Sequence, residues 1–183
     1  TDYFHPTASG IEGSGNFFGT NANVIYIAIR RGTKVPESGT EVFDVQTNGG
    51  NDPSVAPVYQ SGFVTDMAIV HYTLGGSANY PYTANRMMGI QTLETHNTDV
   101  EESGGSSMQW DFMNGFIDLV PSVETTTQIS HMWKRAPGYF DVVAYGGTGN
   151  TTQTKNHNLG VVPEMIWAKR RGGIGQWPVY HKD

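Results

Sequence analysis

Apolar residues in this chain come in short runs broken by Gly, Asn, Asp and Pro. Residues 24–31 (Val-Ile-Tyr-Ile-Ala-Ile-Arg-Arg) read as a buried strand, as do 41–46, 63–71, 139–145, 162–169 and 177–181. Shorter candidates lie at 87–93 and 115–119. These runs are rich in β-branched and aromatic residues, which suit a pleated, half-buried surface. Along 139–145, Phe140, Val142 and Ala144 alternate with Tyr139, Asp141, Val143 and Tyr145, giving a strand with two faces. Turn clusters at 47–53, 75–77, 103–107, 146–150 and 172–173 separate the runs. No segment holds a helical period for long, so one short helix near 110–114 is the most that is expected. The pattern predicts an all-β, antiparallel sandwich or barrel. The polar, Gly/Ser-rich stretch 97–110 is expected to be a long mobile loop.

No change in composition divides the chain. Residues 1–183 read as a single β-rich module or as a window across a module boundary near 120–135, incomplete at both ends. The first residue is Thr1, and a strand is still closing at Asp183. Charged residues make up only 15% of the chain while Gly reaches 23, a profile of many strands and turns rather than of helices. A net charge of -6 disfavours nucleic acid as a partner. With no cysteine, disulfide and thiolate chemistry are excluded. No apolar run approaches the roughly 18 residues of a membrane-spanning helix, so no membrane insertion is expected.

Candidate chemistry is sparse. The six histidines (His5, His71, His96, His131, His157 and His181) show no metal-ligand spacing and read as hydrogen-bonded strand and loop residues. Neither a nucleophile elbow nor a phosphate-cradling loop is present, and no cofactor is expected. Among 17 acidic residues, Asp66, Asp111, Asp118, Asp141 and Glu164 lie in or beside apolar runs. They are the candidates for an acid–base pair, but ion pairing is the stronger expectation, with Asp141 and Glu164 taken by Arg135, Arg170 or Arg171. Glu101 and Glu102 read as a solvated loop.

The sequence Ile25-Tyr26-Ile27-Ala28-Ile29-Arg30-Arg31-Gly32 is echoed by Met165-Ile166-Trp167-Ala168-Lys169-Arg170-Arg171-Gly172, and a third apolar run ends at Met132-Trp133-Lys134-Arg135. Seven of the eleven basic residues therefore sit at strand ends. Internal salt bridges are their first expected use. Binding of an anionic sugar or a partner's carboxylates, through Arg170 and Arg171 above all, is the second. Trp167 and Trp177 flank a Gly-rich turn and are expected to stack across it. Tyr80 and Tyr82, in Asn79-Tyr80-Pro81-Tyr82, read as loop residues free for surface contacts. The ligand-binding candidates are thus Tyr80, Tyr82, Trp177, Arg170 and Arg171.

Two long motifs carry a resemblance. The first is Trp133-Lys134-Arg135-Ala136-Pro137-Gly138-Tyr139-Phe140-Asp141-Val142-Val143-Ala144-Tyr145, followed by Gly146-Gly147-Thr148-Gly149. The second is His157-Asn158-Leu159-Gly160-Val161-Val162-Pro163-Glu164-Met165-Ile166-Trp167-Ala168-Lys169-Arg170-Arg171, closing with Trp177-Pro178-Val179-Tyr180-His181. Together they resemble an uncharacterised module repeated in virion structural and tail-fibre proteins of cyanophages and other marine phages. The resemblance implies a concanavalin-like (jelly-roll) β-sandwich in a virion appendage, with no catalytic residues to carry over. It points to a tail-fibre module that recognises the host surface. The expected partners are sister subunits, most often three, other virion proteins and a host glycan. The alternatives are a ligand-free capsid-decorating or fibre-shaft protein and, last, a polysaccharide-degrading enzyme. In the residues themselves, Gly138 is expected to allow a tight turn into a strand, Gly160 to take an unusual backbone angle, and Pro163 to open the next strand.

Overall fold

A computed structural model of the chain describes residues 3–7, 10–14, 35–48, 56–72, 80–104, 108–118, 128–148 and 152–183. The expected strand at 24–31, with Arg30 and Arg31, lies outside them. The chain divides into two compact units, Thr1–Gly32 and Thr33–Asp183. In the first unit, β1 (Tyr3–Thr7) and β2 (Gly10–Ser14) form an antiparallel ribbon with Tyr3 opposite Ser14 and Thr7 opposite Gly10. Nothing in the apolar pattern marks this ribbon.

The second unit is all-β and antiparallel, in a sandwich-like layering. Its strands are β3 (Phe43–Asn48), β4 (Met67–Tyr72), β5 (Tyr82–Asn85), β6 (Gln91–Glu94), β7 (Glu102–Ser103), β8 (Met108–Gln109), β9 (Ile117–Asp118), β10 (Gln128–Trp133), β11 (Met165–Trp167) and β12 (Val179–His181). Six of them make one sheet in the order β3-β10-β4-β5-β6-β7. β10 inserts between β3 and β4, placing Met132 opposite both Asp44 and Ala68. A stretch within the possible boundary at 120–135 is therefore a strand paired on both edges.

Alternation along β4 and β10 sorts the two faces of the sheet. Ala68, Val70, Ser130 and Met132 are fully buried on one face, whereas Ile69, His71, His131 and Trp133 lie half-buried on the other. The first face carries the core, a cluster of Tyr59, Phe63, Ala68, Val70, Ala84, Met108, Trp110, Phe116 and Met132. The rings of Tyr59, Phe116 and Trp110 are stacked, with centroids 5.0 Å and 4.9 Å apart. A two-way backbone bridge holds the stack: Tyr59 N–H donates to Phe116 O, and Phe116 N–H donates to Tyr59 O, each at 3.1 Å. Gly115 makes that approach possible, because a Cβ there would stand 1.8 Å from the Tyr59 carbonyl oxygen. On the second face, Phe43, His71, His131, Trp133 and Phe140 form a ladder of neighbouring rings at 5.2–6.5 Å.

Several expectations need correction. Residues 139–145 are not a strand: Ala136 and Phe140 form an isolated bridge, with Gly138 in the left-handed region (φ 74°) at the turn between them. The run 162–169 is not buried, since its strand, Met165–Trp167, is about half exposed at every residue. It belongs to a two-stranded ribbon and not to the sheet. The run 87–93 divides into a turn and β6, and 110–114 is not helical; the described residues contain one 3-10 turn, Gly39–Glu41. The supposed loop at 97–110 contributes β7 and the start of β8–β9 pairing.

Gly115→Ala is expected to cost about 2 kcal/mol by forcing the Tyr59 and Phe116 backbones apart. Phe116→Ala should cost roughly 3–5 kcal/mol by opening a cavity in the ring stack. Urea unfolding of the two variants measures both losses, and an unchanged Gly115→Ala midpoint would show that the close approach contributes nothing.

Candidate functional site

The second face of the sheet is only partly covered. The antiparallel ribbon β11–β12 lies over it, with Met165 opposite His181 and Trp167 opposite Val179. Sheet and ribbon enclose a cleft of about 220 Å³ lined by Ile69, Thr83, Thr95, Trp167, Trp177 and Val179. The odd-numbered positions of β4, β5 and the residue after β6 supply the floor, as strand alternation requires. Trp177 is fixed in place because its Nε1–H donates to the Glu94 carbonyl at 3.1 Å. Trp167 is 47% exposed. Lys169 Nζ donates to the Gly175 carbonyl at 2.5 Å and lies 5.9 Å from the centre of the Trp177 ring.

The turn that carries these residues is laced to the β6–β7 connection. Glu101 N–H donates to Arg171 O at 3.0 Å, Gly175 N–H donates to Thr98 O at 2.9 Å, and Arg171 Nε meets Glu101 Oε2 at 2.6 Å. Glu101 is therefore an ion-pair partner and not part of a solvated loop, and Glu102 lies in β7.

The expected site residues separate. Trp177 lines the cleft beside Trp167, but the strand register sets Val179, not Trp177, across from Trp167. Arg171 is engaged by Glu101. Arg170 is exposed, with its guanidinium against the turn so closely that a Cβ at Gly173 would meet it at 2.5 Å. Tyr80 is 44% exposed and stacks on His96 at 3.9 Å. Tyr82 is not a loop residue. It opens β5 on the core-facing side of the sheet, opposite Val70, and its hydroxyl donates to Asp118 Oδ2. Burial, and then the nearby Asp118 charge, raise the Tyr82 phenol far above its ordinary value, so it stays protonated as a donor.

The five carboxylates also divide. Asp66 pairs with Arg86 at 3.6 Å and accepts the Arg135 amide at 2.8 Å. Asp111 is exposed, 4.0 Å from Arg86. Glu164 pairs with Lys182 at 2.5 Å and not with Arg170 or Arg171; the Lys182 ammonium holds its carboxyl below the ordinary value. Asp141 does take Arg135, at 2.6 Å. The same carboxylate accepts the Val142 amide at 3.0 Å and the Asn158 amide at 2.8 Å. It thereby ties the two long sequence motifs together, and Gly138 N–H adds a bond to Leu159 O at 2.7 Å. Gly160 takes the expected left-handed backbone, φ 74°. The cleft lining, Ile69, Thr83, Thr95 and Val179, was not distinguishable in sequence; β4 alternates between buried and half-buried residues, but every residue of β12 is exposed.

Antiparallel sheets, an aromatic cleft and carboxylates engaged in hydrogen bonds characterise the second unit as a β module. The chain belongs to the family described as a domain of unknown function (DUF7483), whose model matches residues 78–183, more than half of the chain. No curated protein and no solved structure matches it.

Burial alone would raise the Asp141 carboxyl, but the Asn158 amide, Arg135 and the Val142 amide outweigh it and hold the group below its ordinary 3.8. A carboxylate depressed in the folded state stabilises fully above its unfolded value and loses that contribution as pH falls through the folded value. Asp141→Asn should therefore lower stability at pH 7 by about 1–3 kcal/mol. The gap to the parent chain should close below pH 3.8. Urea midpoints of both proteins against pH test this, and a gap independent of pH would rule it out.

Proposed function

We propose that this chain is a non-catalytic module of a bacteriophage virion, in a tail fibre or other appendage, that holds a host-surface glycan in the cleft beneath the β11–β12 ribbon. The observation that carries the reading is the pairing of Trp167 and Trp177 on one shallow concavity floored by Thr83 and Thr95. Indole faces bind the apolar side of a sugar ring, and threonine hydroxyls fit its rim. Lys169 beside Trp177 adds a cation for an acidic sugar. The lining supplies stacking and hydrogen bonds rather than two facing carboxylates, which supports binding over hydrolysis. The virion setting rests on the resemblance of the 133–149 and 157–181 motifs. Sister subunits, as a trimer, and other virion proteins are the assembly partners in this reading.

A second reading, a ligand-free fibre-shaft or capsid-decorating protein, draws on the outer surface of the ribbon. Val162 is 86% exposed, with Ile166 and Tyr180 about half exposed nearby in the chain. An apolar surface of that kind suits contact between subunits.

Purified chain titrated with surface polysaccharides isolated from marine bacteria, and followed by tryptophan fluorescence, distinguishes the two. Trp167→Ala is expected to weaken polysaccharide binding about tenfold, the loss of one stacking contact. Absence of binding to any polysaccharide, with a stable trimer by sedimentation, would establish the second reading instead.

A further inference from the structure

The core-facing side of the sheet holds another concavity, of about 130 Å³, lined by Tyr72, Tyr82, Thr92, Gly104, Met108 and Asp118. Asp118 lies on β9 with 2% of its surface exposed. The Tyr82 hydroxyl, on Oδ2, is the hydrogen-bond donor that reaches it among the described residues. No lysine, arginine or histidine among them pairs with it, although Asp66, Glu101, Asp141 and Glu164 each have a cationic partner. An interior carboxylate without a counter-charge is costly, and proteins pair such groups or leave them neutral. Burial accordingly raises the Asp118 carboxyl above its ordinary value, with Tyr82 opposing the rise.

The surroundings make the imbalance specific. Tyr72 and Tyr82 follow the core-facing alternation of β4 and β5, and Met108 enters from β8. Gln128, opposite Tyr72 on β10, is also buried: its Oε1 accepts the Tyr59 hydroxyl at 2.8 Å and its Nε2 has no hydrogen-bond partner. The described lining of the pocket therefore combines one carboxylate, two phenol rings and a thioether, with no basic side chain among those described residues. A hard divalent ion needs about six oxygen ligands. The described residues contain no group of three His, Cys, Asp or Glu side chains placed for a metal. A soft cation with an apolar shell suits aromatic walls and a single carboxylate far better.

We propose that this pocket binds an organic ammonium group, primary or methylated, held by the Asp118 carboxylate between Tyr72 and Tyr82. The cation supplies the counter-charge that none of the described residues provides, and the rings and Met108 replace its lost hydration with polarisable surface. The pocket lies across the sheet from the tryptophan cleft and shares no lining residue with it, so this site is independent of glycan binding.

Choline chloride titrated into the whole chain, with the tyrosine ring signals followed by NMR, is the direct test. Saturable shifts of Tyr72 and Tyr82 are expected. The neutral alcohol in which carbon replaces the choline nitrogen should bind about tenfold more weakly or not at all. Asp118→Asn keeps an acceptor for Tyr82 but removes the charge, and should lose choline binding by a similar factor; Tyr72→Leu should weaken it, and Trp167→Ala should leave it unchanged. Equal binding of the neutral alcohol, undiminished choline affinity in folded Asp118→Asn, or no saturable shift in the parent chain would each overturn the proposal. The comparison of choline with its neutral counterpart uses the parent chain alone, so it decides the matter even if the variants do not fold.

Discussion

The contact between Tyr59 and Phe116 is where the second unit closes. Two backbone hydrogen bonds at 3.1 Å join a segment before β4 to a segment before β9, and Gly115 clears the space between them. The stacked rings of Tyr59, Phe116 and Trp110 then lie on the face of the sheet that presents Ala68, Val70, Ala84 and Met132. Those four are modest side chains that could not form a core by themselves. Their burial depends on large rings arriving from outside the sheet, and the rings arrive only because the backbones come so near. Trp110 is locked in turn by its Nε1–H bond to the Gly89 carbonyl at 2.8 Å, which ties the same stack to the β5–β6 turn.

That arrangement gives the two faces of the sheet different chemistry. The core-facing side is sealed over most of its area, yet it retains a buried Asp118 and the polar atoms of Gln128 and Ser130. The far side carries a ladder of rings and histidines and a light cover, the β11–β12 ribbon. A two-stranded ribbon of three-residue strands is weak alone. It is held by bonds outside its own ladder: Arg171 to Glu101, Gly175 to Thr98 and Trp177 to Glu94. Among the basic residues that cluster at strand ends in sequence, Arg135, Lys169 and Arg171 fasten connections, and tryptophan faces stay open between ribbon and sheet.

Much of the sheet was legible in the chain. The runs 41–46 and 63–71 locate β3 and β4 to within a few residues, whereas β10 shows in the sequence only through its apolar end at Met132-Trp133, because two of its buried positions are the polar Gln128 and Ser130. The motif at 139–145 misled because it has the period of a strand without a partner to pair with. Its Asp141 uses the carboxylate to bind two backbone amides and Arg135, and those bonds fold the segment back on 157–160 instead. The run 162–169 misled for the opposite reason: apolar residues indicate burial only when a second layer exists to cover them. Tyr82 lay within a Pro-containing stretch that reads as a loop, but Pro81 precedes the strand, and its carbonyl accepts from Thr95 N–H at 2.9 Å just past the end of β6. The cleft itself could not be read at all, since it exists only where three strands and a distant ribbon meet.

The extent of the family match has a structural consequence. It begins at residue 78, so it takes in β5 through β12 but not β3 and β4. Yet β10, inside the match, pairs on one edge with β3 and on the other with β4. β5 likewise depends on β4, and Phe116 depends on Tyr59. Both concavities share this dependence: Ile69 of β4 floors the cleft and Tyr72 of β4 borders the acidic pocket. The residues that match as a family thus do not contain the strand on which their own sheet and both candidate sites are built. The physical unit is Thr33–Asp183, and β4 at its centre is where the fold and the two sites are joined.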